Sequence, residues 1–180
     1  MAVDLNQLDQ DFQVKVQELL TACADAGYPM RPNEGIRSPF EQGRLWRQSR
    51  AGAVVQAKID QLNANGQTFL AECIRRPGPS NGDHVTNAIP GLSWHQWGNA
   101  LDCVWIMDDG SENWSETALI NGKNGYHVYA DIASEIGLNA GGHWDSFADW
   151  PHVQLPAASS PRNIHTMQDI NDIMKLRFGP

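Results

Sequence analysis

The chain has 180 residues, enough for one sizeable core and too few for two ordinary domains. Hydrophobic residues make up 41% and aromatics 8%, a globular rather than a disordered composition. Twenty-one acids against 13 bases give a net charge of −8 with no Lys/Arg run. That balance argues against a nucleic-acid footprint and leaves no long-range attraction to an anionic polymer, so contact with one has to come from a local pocket.

The first periodic segment spans residues 4–26, where Leu5, Leu8, Phe12, Val16, Leu19, Leu20 and Cys23 recur at helical steps. Asp4 is the expected cap and Gly27 the left-handed stop. A short Pro-containing connection follows. Ser38-Pro39-Phe40-Glu41 then starts a second helix that should run to about Ser49, with serine at the cap, proline at the first helical position and glutamate at the third. Residues 53–64 and 67–76 read as two more helical pieces broken at Gly66.

Residues 77–92, rich in Pro, Gly, Ser and Asn, form a loop, and Ala100–Ile106 reads as a mostly buried strand. Residues 108–125 are a polar excursion, 126–137 another helix, Gly141-Gly142 a turn and His152–Leu155 a short strand. A loop (Pro156–Arg162) and a helix around 166–177 close the chain. Without repeat or linker, the expected architecture is one α+β domain over 1–180, helices packed on a small antiparallel sheet, with 156–180 as an extension packed on it.

Cys23, Cys73 and Cys103 contain no CxxC pair, so they read as small buried hydrophobes in a protein made in a reducing compartment. The first residues lack a basic region followed by an apolar run, so no secretory signal is expected, and no apolar stretch approaches the ~20 residues of a membrane span.

Two clusters carry chemistry: Ser93-Trp94-His95-Gln96-Trp97-Gly98-Asn99-Ala100-Leu101-Asp102 and Gly141-Gly142-His143-Trp144-Asp145-Ser146-Phe147-Ala148-Asp149-Trp150-Pro151-His152. A catalytic zinc takes three nitrogen or carboxylate ligands and keeps one position for water, a set that His95, Asp102 and His152 can supply. Strand alternation puts Ala100, Asp102 and Val104 on one face, and Leu101, Cys103 and Trp105 on the other. A carboxylate inside so apolar a strand is costly unless paired or metal-bound. His152 and Gln154 share a face opposite Val153 and Leu155, so two adjacent strands can present Asp102 and His152 to one cleft.

Asp149, three residues before His152, is the candidate proton acceptor, an ordinary turn aspartate being the plain alternative. Arg37 is the candidate for the charge that develops on an attacked carbonyl, or for clamping a substrate carboxylate; the alternative is a surface arginine paired with Glu34 or Glu41. Trp94, Trp97, Trp144 and Trp150 flank the clusters as cleft walls and substrate contacts, or as core. Ser93 lacks a nucleophile elbow and reads as a hydrogen-bonding neighbour of a ligand. His84, His127, His143 and His165 read as surface or core residues, not ligands.

These blocks resemble the VanY-type D-alanyl-D-alanine carboxypeptidase family of zinc peptidases, nearest its branch of phage endolysins that act as L-alanyl-D-glutamate endopeptidases. A Ser-x-His-x-x-Gly-x-Ala-x-Asp block is met by Ser93, His95, Gly98, Ala100 and Asp102. A Trp-x-Ser-Phe-x-Asp-x-Pro-His block is met by Trp144, Ser146, Phe147, Asp149, Pro151 and His152. An upstream Arg-Ser, Gln and Leu are met by Arg37-Ser38, Gln42 and Leu45; where the family often has Ser-Gly-Tyr before the Arg, this chain has Gly35-Ile36.

The resemblance implies the D-Ala-D-Ala metallopeptidase/Hedgehog-like fold and one zinc ion on His95, Asp102 and His152, with Asp149 as base. Substrate contacts would come from Arg37, Gln42, Ser93, Trp94 and Trp144, although Gln42 also reads as structural. The implied partner is a peptidoglycan stem peptide cut at L-Ala–D-Glu by a monomer that is made in the host cytoplasm and acts on the wall in the periplasm. Alternatives are a D,D- or L,D-carboxypeptidase, an injected antibacterial effector, and a non-catalytic zinc-stabilised binding module.

Overall fold

The computed structural model describes residues 3–155 and 157–180, so Pro156, at the start of the expected final loop and extension, lies outside the described residues. The fold is α+β, with six α-helices and a small antiparallel sheet among the described residues. Its contacts divide it into two compact units, one from the described parts of 1–36 and 97–157, the other from 37–96 and 158–180.

The first unit holds the whole sheet. Its strands are β1 (Met30–Glu34), β2 (Ala100–Ile106), β3 (Glu112–Asn113), β4 (Asn139–Ala140) and β5 (His152–Gln154). The order is β1-β2-β5-β4, all antiparallel, with β3 also on β2. Helices α1 (Gln10–Asp25) and α5 (Gly125–Glu135) supply the apolar layer. Phe12, Val16, Leu19 and Cys23 from α1 and Tyr126, Tyr129, Ala130 and Ala133 from α5 meet Leu101, Cys103, Trp105 and Val153 of the sheet. One face of β2 thus goes to the core, and the face carrying Asp102 stays available for chemistry.

The first helix is not continuous from residue 4. A 3-10 turn, Leu5–Gln7, is capped by Asp4, and α1 restarts where Asp9 accepts from the Asp11 and Phe12 amides. The Asp9 amide donates to Gly98 O at 2.9 Å, a tertiary bond that fixes the break. β1 occupies what the sequence presents as a connection. Pro32 cannot donate to a ladder, and β1 tolerates it at the edge of the sheet.

The second unit contains α2 (Pro39–Arg47), α3 (Gly52–Ala64), α4 (Thr68–Arg75) and α6 (Met167–Phe178). Ser38 caps α2 through the Glu41 amide, as its sequence requires. No side chain of the cap residue Gln67 serves α4; Asn171 of α6 does so instead, its Oδ1 accepting from the Phe69 and Leu70 amides at 3.0 and 3.3 Å. Residues 166–178 are thereby built into this helical unit. No helix among the described residues is long and apolar enough to cross a membrane.

Candidate functional site

In the first unit, the β2–β5 ladder places Asp102 directly opposite His152. The two side chains meet: His152 Nδ1 lies 2.9 Å from Asp102 Oδ1. The other ring nitrogen, Nε2, lies 3.2 Å from Gln154 Oε1. Burial disfavours the charged imidazole, but the hydrogen bond and charge of Asp102, with the charge of Asp149, hold its pKa above the ordinary histidine value. In the polypeptide alone an Nδ1–H donates to the Asp102 carboxylate; with that hydrogen removed, the nitrogen and oxygen lone pairs form a donor pair that a divalent metal fits.

Asp149 reaches this pair through a tight turn. The His152 amide donates to Asp149 O at 3.1 Å, and the Asp149 amide to Gly141 O at 3.0 Å. Gly141 and Gly142 make this possible: a Cβ on Gly141 would stand 2.4 Å from Asp149 O, and one on Gly142 2.3 Å from the Trp150 ring. Trp150 stacks on His127 of α5 with centroids 4.2 Å apart, which ties the turn to the helix. His143 engages α5 as well, with Nδ1 at Ser134 Oγ and Nε2 at Asp131 Oδ1. Trp144 is half-buried, 5.2 Å from the His152 ring, and its indole N–H donates to Asn139 Oδ1.

His95 is buried in the second unit, in the 3-10 helix Trp94–Trp97, and its amide donates to Ser93 Oγ at 3.4 Å. The Arg37 amide donates to His95 O at 3.4 Å, and Arg37 Nη1 donates to Gln42 Oε1 at 3.0 Å. Gln42 is fully buried. Its Oε1 also accepts from Gln96 Nε2, and its own amide nitrogen donates to Thr86 Oγ1 and Ala88 O. Gln96 Oε1 in turn accepts from the Gly91 and Ser93 amides.

Two residues named as candidate substrate contacts, Gln42 and Trp94, are packed inside the protein. Gln42 has both ends of its amide hydrogen-bonded inside the protein and braces Arg37 and the loop before His95. Trp94 is 4% exposed, and its indole N–H donates to Ala158 O at 2.8 Å, which makes it core. Glu41 takes Arg44 as its partner, whose hydrogen bond holds the Glu41 pKa below the usual carboxylate value. The hydrogen bonds of Gln154 to His152 and of Gln96 to Gln42 are site features that the sequence alone does not give.

The chain is similar to several known proteins. Over 139 residues the chain is 29% identical to the peptidoglycan L-alanyl-D-glutamate endopeptidase CwlK of Bacillus subtilis, covering 76% of this chain and 66% of that protein. The chain thus spans just under two thirds of that relative's length. Among solved structures, the Serratia marcescens L-Ala D-Glu endopeptidase ChiX gives a TM-score of 0.48 at 18% identity, over 84% of this chain and 83% of that one. The vancomycin-resistance D,D-pentapeptidase VanY, solved as a mutant with Zn(II), gives 0.45 at 17% identity, over 92% and 78%. The VanY model, described as D-alanyl-D-alanine carboxypeptidase, matches residues 5–123, a span that holds Arg37, Gln42, His95 and Asp102. By that match the chain belongs to the VanY family of D-alanyl-D-alanine carboxypeptidases.

Proposed function

We propose that the protein is a zinc peptidase that hydrolyses peptidoglycan stem peptides, with His95, Asp102 and His152 as the metal ligands. The observation that carries this reading is the 2.9 Å approach of His152 Nδ1 to Asp102 Oδ1 on neighbouring strands. His95, seven residues before Asp102, completes a three-ligand set of the type a hydrolytic zinc uses.

Zinc held there would polarise the scissile carbonyl and lower the pKa of a bound water from ~15.7 towards ~7. Asp149 accepts the water's proton during attack and returns it to the leaving amine. To Arg37, braced by Gln42, we assign the negative charge that grows on the carbonyl oxygen. Trp144 shields the His152 side from water.

The bond we assign is L-Ala–D-Glu. Support comes from the Trp-x-Ser-Phe-x-Asp-x-Pro-His block at 144–152 and from the likeness to the Bacillus endopeptidase. The setting we assign is that of a phage endolysin reaching the wall after the inner membrane is breached, which rests on the same block. Purified Gram-negative sacculi digested with and without a zinc chelator test the chemistry. Chelator-sensitive release of peptides beginning at D-Glu is the expected result; release of D-Ala alone would reassign the protein to the carboxypeptidases. Lysis of Gram-negative cells only when a membrane-permeabilising partner is co-expressed tests the setting.

A further inference from the structure

The His152 imidazole is bracketed by oxygen: Asp102 Oδ1 at 2.9 Å from Nδ1, and Gln154 Oε1 at 3.2 Å from Nε2. An amide carbonyl oxygen can only accept, so in the tautomer that leaves Nδ1 free for a metal, Nε2 carries the hydrogen and Gln154 Oε1 is placed to accept it. We propose that Gln154 is a positioning residue: by accepting the Nε2–H of His152 it fixes the tautomer and ring plane that leave the Nδ1 lone pair directed at the metal position beside Asp102. This inference rests on the zinc reading above.

The backbone makes the arrangement rigid. His152 and Gln154 lie two apart on β5 and so share one face of the sheet. Gln154 pairs with Ala100 on one side and with Asn139 on the other, so its main chain is laddered on both edges. The side chain is 2% exposed, which denies the amide the free rotation it would have in water. A ligating histidine whose second nitrogen is fixed in this way holds its ring in one orientation and is a stronger donor.

Zinc affinity is measured by chelator competition for the full chain, and the histidine ring nitrogens of the zinc-loaded protein are read by long-range ¹H–¹⁵N correlation. The wild type should show His152 protonated at Nε2 and unprotonated at Nδ1. Gln154→Leu should weaken zinc binding about 10–100-fold and lose the slowly exchanging Nε2–H. Gln154→Glu, which keeps the accepting oxygen, should stay within a few-fold of the wild type with the same tautomer. Wild-type affinity in the Leu variant, or an equal loss in the Leu and Glu variants, would overturn the positioning role. His152→Ala is the reference: unchanged zinc binding there would sink the metal assignment itself, an outcome separate from failure of the Gln154 inference.

Discussion

The α-carbon of Gly141 lies so close to the Asp149 main chain that a methyl group there would stand 2.4 Å from Asp149 O, 3.2 Å from Asp149 Cβ and 3.0 Å from His152 Cβ. None of these neighbours is a flexible chain end. Gly141→Ala must therefore move the turn that carries Asp149. We expect a loss of about 1–3 kcal/mol in urea unfolding from overpacking. The sacculus-digestion rate should fall by roughly 10²-fold or more, because a displacement near 1 Å suffices for that. Wild-type rates in a correctly folded variant would show that the turn does not set the site.

Asp149→Asn preserves shape and removes the proton acceptor. Hydrolysis should slow by about 10²–10⁴-fold while bound zinc, measured by elemental analysis, stays at one equivalent. A variant that keeps its rate would remove Asp149 from the chemistry.

Gln42→Met fills the same space and strips Arg37, Gln96, Thr86 and Ala88 of a common partner. Chemical denaturation should show a loss of about 1–3 kcal/mol, the cost of buried polar groups left unmatched. The hydrolysis rate should fall as well, since the guanidinium loses its brace. Rescue of stability without rescue of rate, in a background stabilised elsewhere, would separate the two effects.

Burial pushes the thiols of Cys23, Cys73 and Cys103 from 9.0 up to about 12. At pH 8 each is then about one part in 10⁴ thiolate, the reactive form, so native protein should resist alkylation and denatured protein should take up three labels. The sign for stability follows. A raised folded-state pKa contributes stability below the unfolded value of 9.0, and that contribution is lost as pH climbs towards about 12. Alkaline unfolding should therefore begin above pH 9, and replacing the cysteines by alanine should flatten that limb. Rapid labelling of native protein at pH 8 would contradict the burial.

Much of this is legible from residue order alone. β2 reads directly because it is a seven-residue, almost wholly apolar run around one carboxylate, and that carboxylate is what suggests a metal. α2 reads directly because its cap is local. What escapes is whatever depends on a distant partner. β1 contains Pro32 and becomes a strand through pairing with β2. The restart of α1 at Asp9, not Asp4, depends on a bond to Gly98. Trp94 and Gln42 look like cleft residues because they flank chemistry, and only packing shows them to be interior. Gln154 resembles any polar residue on a half-exposed strand until its neighbour's ring is seen.

β5 is three residues long, and its alternation puts Val153 in the core and His152 and Gln154 on the chemical face. A slip of one residue against β2 would invert all three, sending the imidazole and amide into hydrocarbon and the valine out. A misregistered molecule would therefore pay twice, in buried polar groups and in lost ligands. With the metal ligands proposed above, only chains whose ladder has closed correctly would be trapped by the ion, and metal occupancy would then report the quality of folding.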